Sequence, residues 1–190
     1  VQTDVKRMLA YSSISHAGFI LVGLEAATHM STTDSGLGLS SISSYLFIYS
    51  FLVIGTFAVT SAVVGEGEST LDSFKGLGKS NPILALAMTV LLLAQAGVPV
   101  TSGFIAKFGV IRASVAVESY ALAIIAMVAA VVAAYLYLRI MVSMWLEGSK
   151  QAEFRPKKQT LILATLIALT SIAIGTSPTA LLRIADLGFL

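Results

Sequence analysis

The chain has 190 residues, a formal net charge of +2 and no cysteine; 56% of its residues are hydrophobic and 12% are charged. A soluble domain carries about 25% charged residues, so this composition excludes an ordinary soluble domain and indicates a chain surrounded largely by lipid. The lack of cysteine excludes disulfides, cysteine-ligated metals and thiol catalysis from within the chain. So small a net charge says nothing about nucleic acid, and we expect no nucleic-acid partner.

The N-terminal stretch from Val1 to Arg7 is polar and does not start with methionine. A secretory signal peptide runs from basic to apolar to small residues, and this stretch does not follow that order. We therefore expect the chain to begin in the middle of a larger protein.

Apolar segments recur along the whole chain. A membrane-spanning helix needs about 20 mostly apolar residues, and five segments meet that length. They are Met8–Ala27, Tyr45–Val64, Pro82–Val117, Tyr120–Trp145 and Thr160–Thr176. The sequence therefore predicts an all-α, polytopic membrane protein with about five transmembrane helices.

The third segment is too long for one straight crossing. A continuous helix over Pro82–Val117 would rise about 54 Å, whereas the hydrocarbon core is about 30 Å thick. Pro99 lies in its middle, flanked by Gly97 and Gly103, and these residue types interrupt helices. We expect two half-helices separated between about Gly97 and Gly103. Irregular backbone at membrane depth must face protein or a water-filled cavity, so this helix belongs inside the bundle.

Basic residues alternate between the predicted connections. Lys6 and Arg7 precede the first helix, and the loops Gly65–Asn81 and Leu146–Gln159 are basic, whereas Thr28–Ser44 has no Lys or Arg. Short basic loops stay in the cytoplasm. The two basic loops and the start of the chain are therefore predicted to be cytoplasmic, and the C-terminus lies on the opposite side. On charge alone, Lys6 and Arg7 are topological anchors.

Lys107 is the residue that most clearly indicates a function. It follows the predicted break, and no acidic residue lies near it in the sequence. A lysine at membrane depth is costly and usually faces a cavity or a partner. The alternative is that its stem carries the ammonium to the interface. That alternative is disfavoured, because Lys107 lies about 15 Å of helix from the end of the half-helix at Val117.

His16 is a second candidate. Ser12 and Ser13 precede it by four and three residues, which places both hydroxyls on the same helix face as the imidazole. Histidine titrates near neutrality, so His16 could pass protons. It could equally be a histidine whose hydrogen bond to a neighbouring helix only strengthens packing.

The remaining polar residues of the spans have simpler interpretations. Glu25 is expected to be exposed near the far end of the first helix, and His29 to lie in the following loop. Arg139 is expected to reach the basic side, with Tyr135 and Tyr137 in an aromatic interface belt. The chain has no glycine-rich phosphate loop, no paired histidines for haem and no ligand cluster for an iron–sulfur centre.

Two motifs resemble a known family. The run VKRMLAYSSISHAG, Val5–Gly18, resembles the helix-entry motif of the antiporter-like subunits of respiratory complex I, the NADH-quinone oxidoreductase. The run AGVPVTSGFIAKF, Ala96–Phe108, resembles their broken-helix motif. Its Gly-Phe-x-x-Lys-Phe ending and the triplet Tyr137–Arg139 are most similar to the subunit N branch of that family.

The resemblance implies a full protein of roughly fourteen helices with two inverted five-helix repeats, a plan shared with transporters. Residues 1–145 would hold most of the second repeat without its first helix, and residues 146–190 a cytoplasmic loop, the final helix and the C-terminal tail. Lys107 would be the lysine of the second half-channel. Lys6 and His16 match positions along the polar axis or its approach.

The resemblance also implies a function. The chain would be a proton-translocating subunit that couples quinone reduction to pumping in an energy-transducing bacterial plasma membrane. Its partners would be lipid and the other membrane subunits of complex I. It would hold no cofactor itself, because NADH, FMN, iron–sulfur clusters and quinone would be used by other subunits. Two alternatives stay open: a subunit of a multi-subunit sodium/proton antiporter, and a passive membrane scaffold.

Overall fold

The computed structural model describes residues 2–29, 35–146, 148 and 156–177, with residues 35–37 described by their backbone alone. The regular elements in those ranges are helical, as the sequence predicts. They are α1 (Val5–His29), α2 (Ser35–Val64), a short 3₁₀ helix (Leu71–Phe74), α3 (Leu77–Ser80), α4 (Pro82–Ala96), α5 (Ser102–Ala116), α6 (Tyr120–Leu146) and α7 (Lys158–Thr176).

The helices account for the predicted membrane crossings. Among the described residues, α1, α2, α6 and α7 are each long and apolar enough to span a bilayer. The half-helices α4 and α5 together replace the long third segment. The prediction of an all-α polytopic membrane protein with about five crossings is confirmed.

The start of α2 differs from the prediction. The helix begins at Ser35, well before the predicted Tyr45, so much of the expected Thr28–Ser44 loop is helical. The serines and glycines of this stretch are typical of loops, and for that reason the sequence predicts a loop here. A tertiary contact explains the helix: a Cβ at Gly38 would lie 2.7 Å from the backbone of Ala27. Small residues let α2 approach the end of α1 closely.

The connection between α2 and α4 packs against the start of the chain. The amide of Val5 donates to the carbonyl of Ser69 at 2.5 Å. Arg139 Nη1 donates to the carbonyl of Gln2 at 2.8 Å, and Ser143 Oγ donates to the carbonyl of Leu71 at 2.7 Å. The chain start, the 65–81 connection and the end of α6 therefore share one end of the bundle, as the basic-residue pattern predicts. The C-terminal tail lies outside the described residues.

The third segment is broken, as its length and composition predict. Helix α4 ends at Ala96, and Gly97 adopts a left-handed conformation with φ 85°. Its amide donates to the carbonyls of Leu93 and Ala94, and the amide of Val98 also donates to Leu93 at 3.0 Å. This is a Schellman-type end, in which a left-handed glycine satisfies the last free carbonyls.

Gly103 has a different role from the one expected. It lies inside α5, which already begins at Ser102, so the irregular segment is shorter than Gly97–Gly103. A Cβ at Gly103 would overlap the carbonyl oxygen of Ala94. The glycine is needed because the first turn of α5 packs directly beside the last turn of α4.

The broken pair packs against the other helices of the bundle. Together α4 and α5 contact all four long helices. The hydroxyls of Ser102 and Ser171 are 2.8 Å apart and join the start of α5 to α7. A Cβ at Gly175 would overlap the backbone of Val100 and Thr101, so α7 covers the break directly. The other side of the break is not covered in this chain, since Val98, Pro99 and Val100 are exposed, so the expected enclosure is found on the α7 side alone.

Candidate functional site

Lys107 is buried beside the helix break. It lies in the second turn of α5, and only 5% of its surface is exposed. Its Nζ donates a hydrogen bond of 3.1 Å to the carbonyl of Ala96, the last residue of α4. The side chain thus runs back toward the break, which does not support the snorkelling alternative.

The break supplies the acceptor for this amine. In a continuous helix the carbonyl of Ala96 would accept from the amide of Val100, but the chain leaves the helix at Gly97. Unpaired carbonyls at a helix C-terminus carry partial negative charge and favour a nearby cation. Half-helix ends of this kind coordinate cations and protons in transporters.

An aromatic ring completes the surroundings of the amine. Nζ of Lys107 lies 4.9 Å from the centroid of Phe19 in α1, a cation–π contact that contributes about 2 kcal/mol away from water. Within the described ranges, no carboxylate forms an ion pair with Lys107; the ion pairs found there are Glu25–His29 and Asp72–Lys75. The amine is therefore held by a carbonyl and a ring face rather than by an acid.

Gly97 also provides the space for the lysine side chain. A Cβ at this position would lie 2.8 Å from Cδ of Lys107. The left-handed backbone already favours glycine here. Two independent constraints, conformation and space, therefore meet at this residue.

His16 lies at the centre of a second buried polar group. Its Nδ1 is 2.7 Å from the hydroxyl of Tyr45, and its Nε2 is 3.2 Å from the hydroxyl of Tyr137. The imidazole stacks on Tyr49 with ring centroids 4.3 Å apart. Tyr137 also shares a hydrogen bond with Ser12. We call Ser12, His16, Tyr45 and Tyr137 the histidine cluster; it joins α1, α2 and α6.

The histidine cluster has the donors and acceptors needed to move a proton. A neutral imidazole has one N–H donor and one acceptor nitrogen, and each tyrosine or serine hydroxyl can both donate and accept. A proton that arrives on one ring nitrogen can leave from the other after the hydroxyls rotate. The cluster is therefore chemically capable of relaying protons as well as joining three helices.

Phe19 connects the two sites. Its ring centroid is 6.5 Å from that of His16 and 6.0 Å from that of Tyr45, on which it stacks, while the amine of Lys107 lies over its face. The structure thus brings Lys107 and the histidine cluster to the same aromatic ring. Phe19, whose ring faces the amine of Lys107, lies about one turn farther along α1 from the basic end of the bundle than His16 does.

Lys6 is not part of this arrangement. Its side chain is exposed, and its backbone amide donates to Ser69 Oγ at 3.0 Å. Arg7 is exposed beside it, with its amide on Asp4 Oδ1 at 2.9 Å. Of the three candidate residues named from the sequence, the structure places Lys107 and His16 near each other and leaves Lys6 at the basic end.

Residues 1–133 match the family described as "NADH:quinone oxidoreductase/Mrp antiporter, TM". The chain belongs to this family. One relative is "NADH-quinone oxidoreductase subunit N 1" of Herpetosiphon aurantiacus, 42% identical over 93% of this chain and 36% of the relative. The chain therefore spans about a third of the length of such relatives.

Two solved structures share the family fold. A chain of the archaeal membrane-bound sulfane sulfur reductase is 29% identical, with a TM-score of 0.83 over 97% of this chain and 37% of its own length. A chain of respiratory complex I from Thermus thermophilus has a TM-score of 0.81 over 96% of this chain and 40% of its own length. The latter is 24% identical, so it shows the fold alone.

Sequence reasoning missed the aromatic residues of the site. Tyr137 was assigned to an interface belt, and this is wrong, because the residue is fully buried and bonded to His16. Its neighbour Tyr135 is 62% exposed, in keeping with the belt. A buried tyrosine hydroxyl needs a partner, so a tyrosine within an apolar span is the signal that could have found Tyr45 and Tyr137. Phe19 carries no such signal in its residue type.

Proposed function

We propose that this chain is the C-terminal part of a proton-translocating membrane subunit of NADH-quinone oxidoreductase, with Lys107 as its proton carrier. The observation that supports this most directly is the hydrogen bond from the buried amine to the carbonyl of Ala96 at the helix break. A buried amine next to a half-helix end can bind a proton and release it when its surroundings change.

The histidine cluster delivers protons toward Lys107. It lies between the basic end of the bundle and the lysine, because Ser12, His16 and Phe19 follow one another along α1. Within the cluster, each transfer moves one proton from a donor hydroxyl or N–H to an acceptor nitrogen or oxygen. The ring of Phe19 lies between the cluster and the amine, so water carries the proton past it to Lys107, which takes it up as an ammonium. Lys6, exposed at the basic end, marks the cytoplasmic side and lies on the approach to the cluster.

The rest of the complex follows from the proposed identity. Residues 1–145 form most of the second inverted repeat, and residues 146–190 the connecting loop, last helix and tail. The partners are the other membrane subunits and lipid. NADH, FMN, iron–sulfur clusters and quinone act on other subunits, where electron transfer shifts charges that reach Lys107 through the polar axis.

Two alternative functions have less support. The family includes Mrp antiporters as well as NADH-quinone oxidoreductases, so the fold by itself fits a sodium/proton antiporter subunit. The 42% identity to a protein named as subunit N favours the oxidoreductase. A passive scaffold requires neither a buried lysine nor a broken helix, both of which this chain has.

The test is proton uptake by vesicles containing the reconstituted complex, normalised to assembled complex. We expect Lys107→Ala to abolish most of the uptake while assembly persists, because alanine is a good helix former and removes a buried charge. Lys107→Arg should also fail, since a guanidinium does not release its proton in a protein. The exposed Lys79 provides the control, and Lys79→Ala should pump normally. Normal pumping by Lys107→Arg would exclude proton release by this side chain.

A further inference from the structure

Glu25 forms a polar site at the other end of the bundle from the basic loops. It lies in the last turns of α1, and its Oε1 accepts a hydrogen bond of 2.8 Å from Ser119 Oγ, in the turn between α5 and α6. Only 29% of its side chain is exposed. The expectation that Glu25 is simply exposed is therefore wrong, because the α5–α6 turn packs over it.

The second carboxylate oxygen of Glu25 points to a ligand. Oε2 is buried and accepts no hydrogen bond from the part of the chain that the structure describes. A buried carboxylate oxygen without a donor is costly, so Oε2 is an open acceptor, while Ser119 keeps its bond to Oε1.

His29 connects this carboxylate to the outside. Its Nδ1 lies 3.3 Å from Glu25 Oε1, and 62% of its side chain is exposed. The sequence predicted that His29 lies in a loop, but the residue is the last of α1. The carboxylate thus has one oxygen in the interior and an exposed titratable neighbour beside the other.

The interior side of this site leads back to Lys107. On α5, Lys107, Val110 and Ser114 are spaced by three and four residues and share one face. Ser114 is fully buried, and its hydroxyl donates to the carbonyl of Ser119 at 3.2 Å. Lys107 and Ser114 are separated by about 10 Å along the helix. Ser114 is the next polar side chain on that face, so it leads from the lysine to the Glu25 site.

The apolar contact between these two sites is tight. A Cβ at Gly23 on α1 would lie 3.1 Å from Val110 and 2.9 Å from Ile42. Water therefore has little room between Lys107 and Ser114 in this arrangement. A proton can therefore pass between them only when α1 and α5 separate at Gly23.

We propose that Glu25 is the outlet carboxylate, which takes the proton released by Lys107 and passes it to the side away from the basic loops. In this step the ammonium of Lys107 loses a proton to a chain of water molecules, and Oε2 of Glu25 gains one to become a carboxylic acid. The acid then loses its proton to external water, since 29% of the Glu25 side chain is exposed. The proposal rests on the proposed function, since it needs Lys107 to release protons.

Matched variants distinguish a proton outlet at Glu25 from a hydrogen bond that only holds α1 against the α5–α6 turn. Glu25→Gln keeps an oxygen that can accept from Ser119 but cannot take up a proton. Glu66 is exposed and lies in the connection at the basic end, so Glu66→Gln is the control for loss of one acidic charge.

The measurement is the number of protons taken up by vesicles per NADH oxidised by the whole reconstituted complex. We expect Glu25→Gln to lower it by about tenfold or more, whereas Glu66→Gln stays near the wild-type value. If Glu25→Gln does not assemble, Glu25→Asp and Glu25→Asn form a second matched pair, and only the aspartate should pump. Equal pumping within either pair of acid and amide would overturn the proposal.

The Lys107→Ala variant distinguishes failure of the proposed function of Lys107 from failure of the proposed outlet at Glu25. If that variant pumps normally, the proposed function itself fails. If it does not pump while Glu25→Gln does, only the outlet is wrong.

Discussion

The amine of Lys107 donates a hydrogen bond of 3.1 Å to the carbonyl of Ala96 across the break in the third membrane segment. The two residues belong to different half-helices, α5 and α4. The carbonyl is free because the chain leaves the helix at Gly97, and the lysine reaches it because its stem points toward the N-terminus of its own helix. The break and the lysine therefore form one structural unit.

The first prediction concerns Gly97, which combines a left-handed backbone with contact to the lysine stem. Alanine in that conformation costs roughly 1–2 kcal/mol, and its Cβ would lie 2.8 Å from Lys107 Cδ. We expect Gly97→Ala to lower both the heat stability of the assembled complex and its proton uptake. Both are measured on the same vesicle preparation.

Gly65 is the matched control for this change. It has a similar positive φ of 57°, but a Cβ there would meet nothing within 4 Å. Gly65→Ala should therefore lower heat stability by a similar amount and leave proton uptake per assembled complex unchanged. If the two variants pump equally well, Gly97 does not position the lysine.

The second prediction concerns the hydroxyl of Tyr137. Tyr137→Phe keeps the buried ring but leaves His16 Nε2 and Ser12 Oγ without this partner, a loss of about 1–3 kcal/mol. If the histidine cluster relays protons, uptake per assembled complex should fall by roughly tenfold. Tyr135→Phe, two residues away and exposed, should be neutral. Equal proton uptake by Tyr137→Phe and Tyr135→Phe would show that the histidine cluster only contributes to helix packing.

The third prediction concerns orientation in the membrane. Because the chain has no cysteine, single cysteines can be introduced and labelled with an impermeant thiol reagent. Lys79→Cys and Lys157→Cys should react from the cytoplasmic side, and Glu118→Cys from the opposite side. All three residues are exposed. Labelling of Lys79→Cys and Glu118→Cys from the same face would contradict the predicted alternation of basic loops.

The sequence determined the membrane architecture almost alone. Long apolar runs have one stable solution in lipid, a helix whose backbone hydrogen bonds are internal, so the spans could be counted without tertiary information. The break was equally local, because Pro99 and Gly97 act on their own backbone. Burial of Lys107 followed from its distance to both ends of its segment. These conclusions depend on residue type and spacing, which a sequence states directly.

Only the tertiary structure decided which side chains meet. Tyr45 and Tyr137 lie on helices far apart in the chain, yet both bond to His16 because α1, α2 and α6 converge there. Glu25 is covered by Ser119 because the α5–α6 turn packs against the end of α1. Gly103 is required by the close carbonyl of Ala94 rather than by its own conformation. In lipid, helix pairing depends on close packing and on hydrogen bonds between helices rather than on hydrophobicity. Those contacts depend on the relative rotation and depth of each helix, which the pattern of one helix does not contain.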